Sequence, residues 1–145
     1  MAKFEASVVI NRPIEEVSQY VMDVRNTPKW DSTLPEAEQT SEGPLGVGTT
    51  FRGLSQFMGQ RMEWTSVVTE HEPSRKLRQK ITAGPMSIDE SMIMEPVGAA
   101  TKLTIEAEAE LGGVFKLAGP VVNSQARAGM EKSLAELKKI LEGSA

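Results

Sequence analysis

The chain has no cysteine and a single histidine, His71. Without thiols there is no disulfide framework, no thiolate zinc site, no iron–sulfur ligation and no cysteine nucleophile. One imidazole leaves a histidine-built zinc site or a Cys/His mechanism without its parts, so no metal and no cofactor are expected. A basic excess is missing too. Sixteen Lys+Arg stand against twenty Asp+Glu, for a formal net charge of −4, and phosphate-backbone binding normally needs the opposite balance, so nucleic acid is not an expected partner. No stretch approaches the roughly 20 apolar residues of a membrane span, and Met1-Ala-Lys-Phe-Glu lacks an apolar signal core. The expectation is a soluble, cytoplasmic protein with no integral membrane association. Gly46 and Gly48 make no phosphate loop: no Gly-Lys-Ser/Thr follows them, and a strand rather than a helix comes next.

What is present suffices for a core. The 145 residues correspond to one domain, 1–145, on the usual prior of roughly 100–200 residues per domain. Area scaling puts about two thirds of the open chain's surface out of water on folding. Phe4, Ala6, Val8 and Ile10 alternate with Glu5 and Ser7, the period of a half-buried strand. Asn11-Arg12-Pro13 ends it, and Pro13, Glu15 and Glu16 start a short helix with Val17, Tyr20 and Val21 on one face, to about Met22. Asn26-Thr27-Pro28 to Leu34-Pro35 suits one more helical turn, with Trp30 as its anchor. From Glu36 to Glu110 regular Gly/Pro punctuation separates six extended runs, about 36–42, 48–57, 60–71, 76–83, 86–96 and 100–110, an antiparallel meander. Beyond Gly112-Gly113, residues 115–142 carry Met130, Leu134, Leu137 and Leu141 at helical spacing, with Pro120 near the start as a candidate kink.

One amphipathic helix facing a long antiparallel sheet buries its stripe only if the sheet curls around it, and such a grip leaves space between the two. Alternation assigns the inward faces: Phe51, Gly53, Ser55 and Phe57; Met62, Trp64, Ser66 and Val68; Leu77, Gln79 and Ile81; Met86, Ile88, Glu90, Met92 and Met94; Leu103, Ile105, Ala107 and Ala109. This arrangement resembles the polyketide cyclase/dehydratase and START-like lipid-transport superfamily (SRPBCC, Bet v 1-like). The resemblance covers nearly the whole chain. It is carried by Val8-Val9-Ile10-Asn11-Arg12-Pro13-Ile14-Glu15-Glu16-Val17, Asp23 with Trp30, Gly43-Pro44-Leu45-Gly46-Val47-Gly48-Thr49, Glu70-His71-Glu72-Pro73, Gly98-Ala99-Ala100-Thr101-Lys102-Leu103-Thr104 and Leu134-Ala135-Glu136-Leu137-Lys138. It implies an α+β helix-grip fold, a seven-stranded curved antiparallel sheet wrapped around a long C-terminal helix, with two short helices after strand 1. The superfamily includes aromatic polyketide cyclases, lipid and sterol carriers and hormone-binding proteins, so the fold leaves the chemistry open.

Glu90 is the most pointed candidate for chemistry, since alternation with Met86, Ile88, Met92 and Met94 puts a carboxylate on the cavity face. It orients a ligand or acts as a general acid/base; otherwise it reaches water at a bulge or strand end, or forms a structural ion pair. On a helical wheel Asn123 falls within the stripe of Met130, Leu134 and Leu141, and Arg127 lies at its edge. Arg127 is read as a partner of Glu90 or of an anionic ligand, or else as a solvated residue whose stem covers apolar surface; Asn123 lines the cavity or braces the helix start. His71, before Glu72-Pro73, is expected in an exposed turn. Met62 and Met92 suit a pliable apolar wall, and Trp64 and Phe57 either stack on a flat ligand or fill space. The expected lining is completed by Phe51, Gln79, Ile81, Ile88, Ile105, Ala126 and Met130.

Three functions fit. The first is a carrier or sensor, monomer or homodimer, whose partner is a small hydrophobic or aromatic, lipid- or polyketide-like ligand held between sheet and helix. The second is a cyclase/dehydratase-type enzyme in which Glu90, with Arg127 or Asn123, polarises or deprotonates its substrate. The third is a closed core with function on the surface. Few inward polar groups are available, which favours binding.

Overall fold

A computed structural model describes residues 2–57, 59–110 and 119–143. β1 spans Ala2–Ile10, followed by α1 (Ile14–Val21), a 3-10 turn (Val24–Asn26) and α2 (Thr27–Trp30). Six strands then run in succession: β2 Glu36–Gln39, β3 Thr50–Phe57, β4 Gln60–Glu72, β5 Lys76–Ala83, β6 Met86–Val97 and β7 Ala100–Glu110. The helix α3, Gly119–Gly143, follows. It begins at Gly119, with Pro120 in its first turn; the expected start at 115, and any separate element before Pro120, lie outside the described residues. All seven strands form one sheet in the order β1-β7-β6-β5-β4-β3-β2, with every neighbouring pair antiparallel. The sheet therefore follows the meander, and only β1 crosses over, to pair with β7.

Local chemistry explains the elements. Pro13 precedes α1 with extended backbone and Glu15 and Glu16 fill the first turn, where carboxylates meet the positive helix end. Asp23 accepts from Arg25 N at 3.0 Å and so caps the 3-10 turn. Gly98, at φ 62, opens the two-residue β6–β7 connection, where positive φ matches the strands' twist. In β4 the register slips between Val68 and Glu70. Thr69 is thus the extra residue of a bulge, which tightens the local twist and helps the sheet curl. Before it Val68 is buried opposite Gln79; after it Glu70 stands on the outer face beside Arg78. At Gly53 a Cβ would lie 2.0 Å from the Glu36 carbonyl oxygen and 2.8 Å from the Trp64 ring, so glycine is what lets β2 and the indole close on β3.

The core lies unevenly along the helix. Leu134, Leu137 and Leu141, at 1%, 0% and 4% exposure, are buried in one cluster with Ile10, Val17, Met94 and Leu103. Lys138 donates to the Val9 carbonyl at 2.7 Å and to Glu142 at 2.6 Å, while Glu142 accepts from Asn11 N at 2.8 Å. These bonds tie the last turns of α3 to the end of β1. The N-terminal half of the described helix is different: Gln125, Ala128 and Arg127 are exposed, and Ala126, Gly129 and Met130 half-buried.

Candidate functional site

The space under that half of α3 is a cavity of about 580 Å³. Small side chains make it. Ala83, Ala107 and Ala109 from the sheet and Ala126, Ala128 and Gly129 from the helix line it, and where such stubs face each other the layers are held apart without being filled. Its walls are completed by Phe51, Trp64, Leu77, Ile81, Met86, Ile88, Met92, Ile105 and Met130, and its rim by residues 31–34 after α2.

The registers explain who points inward. Glu90 stands in a cross-strand row, paired with Gln79 of β5 on one side and Ala107 of β7 on the other. Ala107 is itself paired with Phe4 of β1. The next row inward runs Ser66, Ile81, Ile88, Ala109, and another Leu77, Met92, Ile105, Ala6. Because each is a directly opposed set, its members share one face of the sheet.

Gln79 Nε2 donates to Glu90 Oε1 at 3.3 Å, and among the described residues no donor reaches the second oxygen. Glu90 is half-buried, and it lines the cavity. Burial therefore dominates and pushes its pKa up to about 7; the Gln79 bond pulls the other way and the Asp31 charge adds to the rise. Asp31 lines the same cavity. Its Oδ1 accepts from Thr33 N at 3.0 Å, Thr33 Oγ1 at 2.5 Å and Ser133 Oγ at 3.3 Å, which fastens the rim to α3. Gln56 N donates to the Thr33 carbonyl at 2.7 Å, joining the same rim to β3.

Of the residues anticipated for the site, Phe51, Trp64, Gln79, Ile81, Ile88, Glu90, Met92, Ile105, Ala126 and Met130 all line this cavity. Met62 is half-buried and packs on the core at Gly84, off the cavity lining. Arg127 does not join Glu90: its side chain is 63% exposed and reaches Glu131 at 3.6 Å. A long charged chain at the edge of a helical stripe swings its head into water, and the solvated reading of Arg127 is the one that applies. The side chains of Phe57 and Asn123 lie outside the described residues. His71 is in β4 rather than in an exposed turn, half-buried opposite Leu77 and apart from the cavity lining.

Trp30, Asp31, Thr33 and Ser133 were missed as lining residues. Trp30 ends the four-residue α2, too short to show a period, Asp31 and Thr33 come from the rim after it, and Ser133 from the helix flank. The one local signal is Asp31-Ser32-Thr33, a spacing at which an Asp side chain bonds the backbone two residues on. Among the described residues the indole N–H groups of Trp30 and Trp64 find no acceptor, no three His, Asp or Glu side chains gather as a metal site, and no helix is long and apolar enough to cross a membrane.

Solved structures share this architecture. A START superfamily protein from Mycobacterium smegmatis superposes with a TM-score of 0.86 at 16% identity, with 100% of each chain covered. A Thermus thermophilus protein does so at 0.84 and 18% identity, with 99% of each covered. The ZhuI aromatase/cyclase from Streptomyces reaches 0.78 at 16% identity, over 97% of this chain and 93% of that one. At such identities the likeness is one of fold. No curated protein matches in sequence. The family profile described as polyketide cyclase / dehydrase and lipid transport matches residues 1–142, and with the helix-grip architecture in view the chain belongs to that family.

Proposed function

We propose that this chain binds a small, largely apolar, aromatic or lipid-like molecule in the cavity between the sheet and α3, as a carrier or sensor, with Gln79 and Glu90 orienting the molecule's polar end. The observation that carries the reading is the cavity itself: about 580 Å³ is within the roughly 300–1,000 Å³ of small-molecule sites, which combine apolar walls with a few convergent polar groups. The family supports ligand binding of this broad kind. Trp30 and Trp64 both line the space, so their fluorescence reports on occupancy. Titration with a panel of naphthalene and anthracene derivatives should quench or shift it, and calorimetry should give a negative heat-capacity change from apolar burial. Silence across the panel in both measurements overturns the reading and moves function to the surface.

A second reading has one specific observation in its favour. A carboxyl pushed up to about 7 is poised to take and return protons at neutral pH, as general acid/base catalysis requires. On that reading Glu90→Gln keeps affinity for a poly-β-ketone substrate and loses its cyclisation or dehydration, whereas in a carrier the same change alters affinity alone.

A further inference from the structure

We propose that the cavity's ligand is an organic cation, a hydrophobic amine whose ammonium group lies between Glu90 and Asp31 and whose carbon skeleton lies against the aromatic walls. The inference rests on the reading of the cavity as a ligand site and names the chemical class that the site takes.

Charge and walls argue for it separately. The described lining includes two acids, Glu90 and Asp31, and one base, Lys132, which is exposed on α3. Glu90 and Asp31 are close enough for the charge of Asp31 to disfavour the ionised form of Glu90. Each has one oxygen that no donor among the described residues reaches, since the bonds from Gln79, Thr33 and Ser133 all fall on Glu90 Oε1 and Asp31 Oδ1. Two carboxylates facing one cavity repel each other when both are ionised. A single positive charge between them removes that repulsion and supplies donors to the free oxygens. A carboxylate ligand adds a third negative group, and a neutral one brings no charge to offset the two. The walls point the same way. Phe4, Trp30, Phe51 and Trp64 line the cavity, four of the chain's seven aromatic residues, and the negative faces of aromatic rings attract cations. A metal ion in that place would need further hard donors, and among the described residues no third His, Asp or Glu joins the pair. Rings and thioethers suit a carbon-bearing cation.

The test is calorimetric titration of the intact chain with naphthylmethylamine, naphthylmethanol and naphthoate, which share a skeleton and differ in charge. At about pH 8 the amine is still cationic and Glu90 is mostly ionised. The amine should bind at least about tenfold tighter than the alcohol, and the carboxylate most weakly. Glu90→Gln and Asp31→Asn should each reduce that preference, read as the ratio of amine to alcohol affinity in the same variant, severalfold. Because Asp31 braces the rim, circular dichroism checks that its variant folds; if it does not, Glu90→Gln carries the test alone. An amine no tighter than the alcohol, or a preference that survives substitution, overturns the inference while alcohol binding keeps the cavity reading. No binding by any of the three overturns both.

Discussion

Glu90 ties the site to the stability of the fold through a proton. In the unfolded chain its carboxyl titrates at about 4.5 and in the folded one at about 7. Between those values the folded protein holds a proton that the unfolded protein has released, so stability falls as pH rises through the window. The difference corresponds to about 3 kcal/mol. Carboxyls such as Glu70 and Asp89, which Lys76 and Arg78 hold below their usual range, act in the opposite sense and at lower pH, where their loss on acidification begins. Urea unfolding at about pH 5 and pH 8 separates the two effects. The wild type should be less stable at the higher pH, and Glu90→Gln should remove most of that slope and exceed the wild type at pH 8. An unchanged slope would mean that Glu90 is solvated as well folded as unfolded.

At the scale of elements, α3 divides into a sealing half and a lining half, and substitutions should divide with it. Leu137, at 0% exposure in the cluster with Ile10 and Leu103, should cost about 2–5 kcal/mol as Leu137→Ala. Arg127→Ala, which removes one exposed i,i+4 pair, should stay within about 0.5 kcal/mol. Thermal or urea unfolding of both variants checks the contrast. The elements themselves were largely readable. Period-2 alternation identified the inward residues of β4 to β7, because each strand has one apolar face and a register slip would have exposed it. Glu90 was legible for the same reason, as a carboxylate out of place in an apolar row. Helical periodicity was a poorer guide at the stripe's margin: a wheel position does not say whether a long side chain such as Arg127 turns in or out. Asp31-Ser32-Thr33 lies between elements, where no period operates, and its place at the rim depends on tertiary bonds from Ser133 and Gln56 that sequence spacing does not encode.

Across the whole molecule, close packing and open volume compete for the same interior. The last turns of α3 close on β1 and the core, while the stretch from Gln125 to Met130 lines the cavity opposite the alanines of the sheet. A larger residue at the half-buried Ala126 would fill part of the space and add dispersion contacts, so the open volume represents stability forgone. Filling it is therefore a clean way to ask whether the volume is used. Ala126→Leu on the helix and Ala107→Leu beside Glu90 both project into the cavity from opposite layers. Ala126 is half-buried, so its larger side chain should be accommodated with no loss of melting temperature. Ala107 is packed to 3% exposure, and overpacking there should cost about 1–3 kcal/mol. Each should weaken binding of the naphthalene probes at least about tenfold by occupying their place, and the pair together should abolish it while far-ultraviolet circular dichroism stays that of the wild type. Full affinity in both folded single variants would put the ligand elsewhere on the surface, and the alanine-lined gap would then be a packing defect rather than a site.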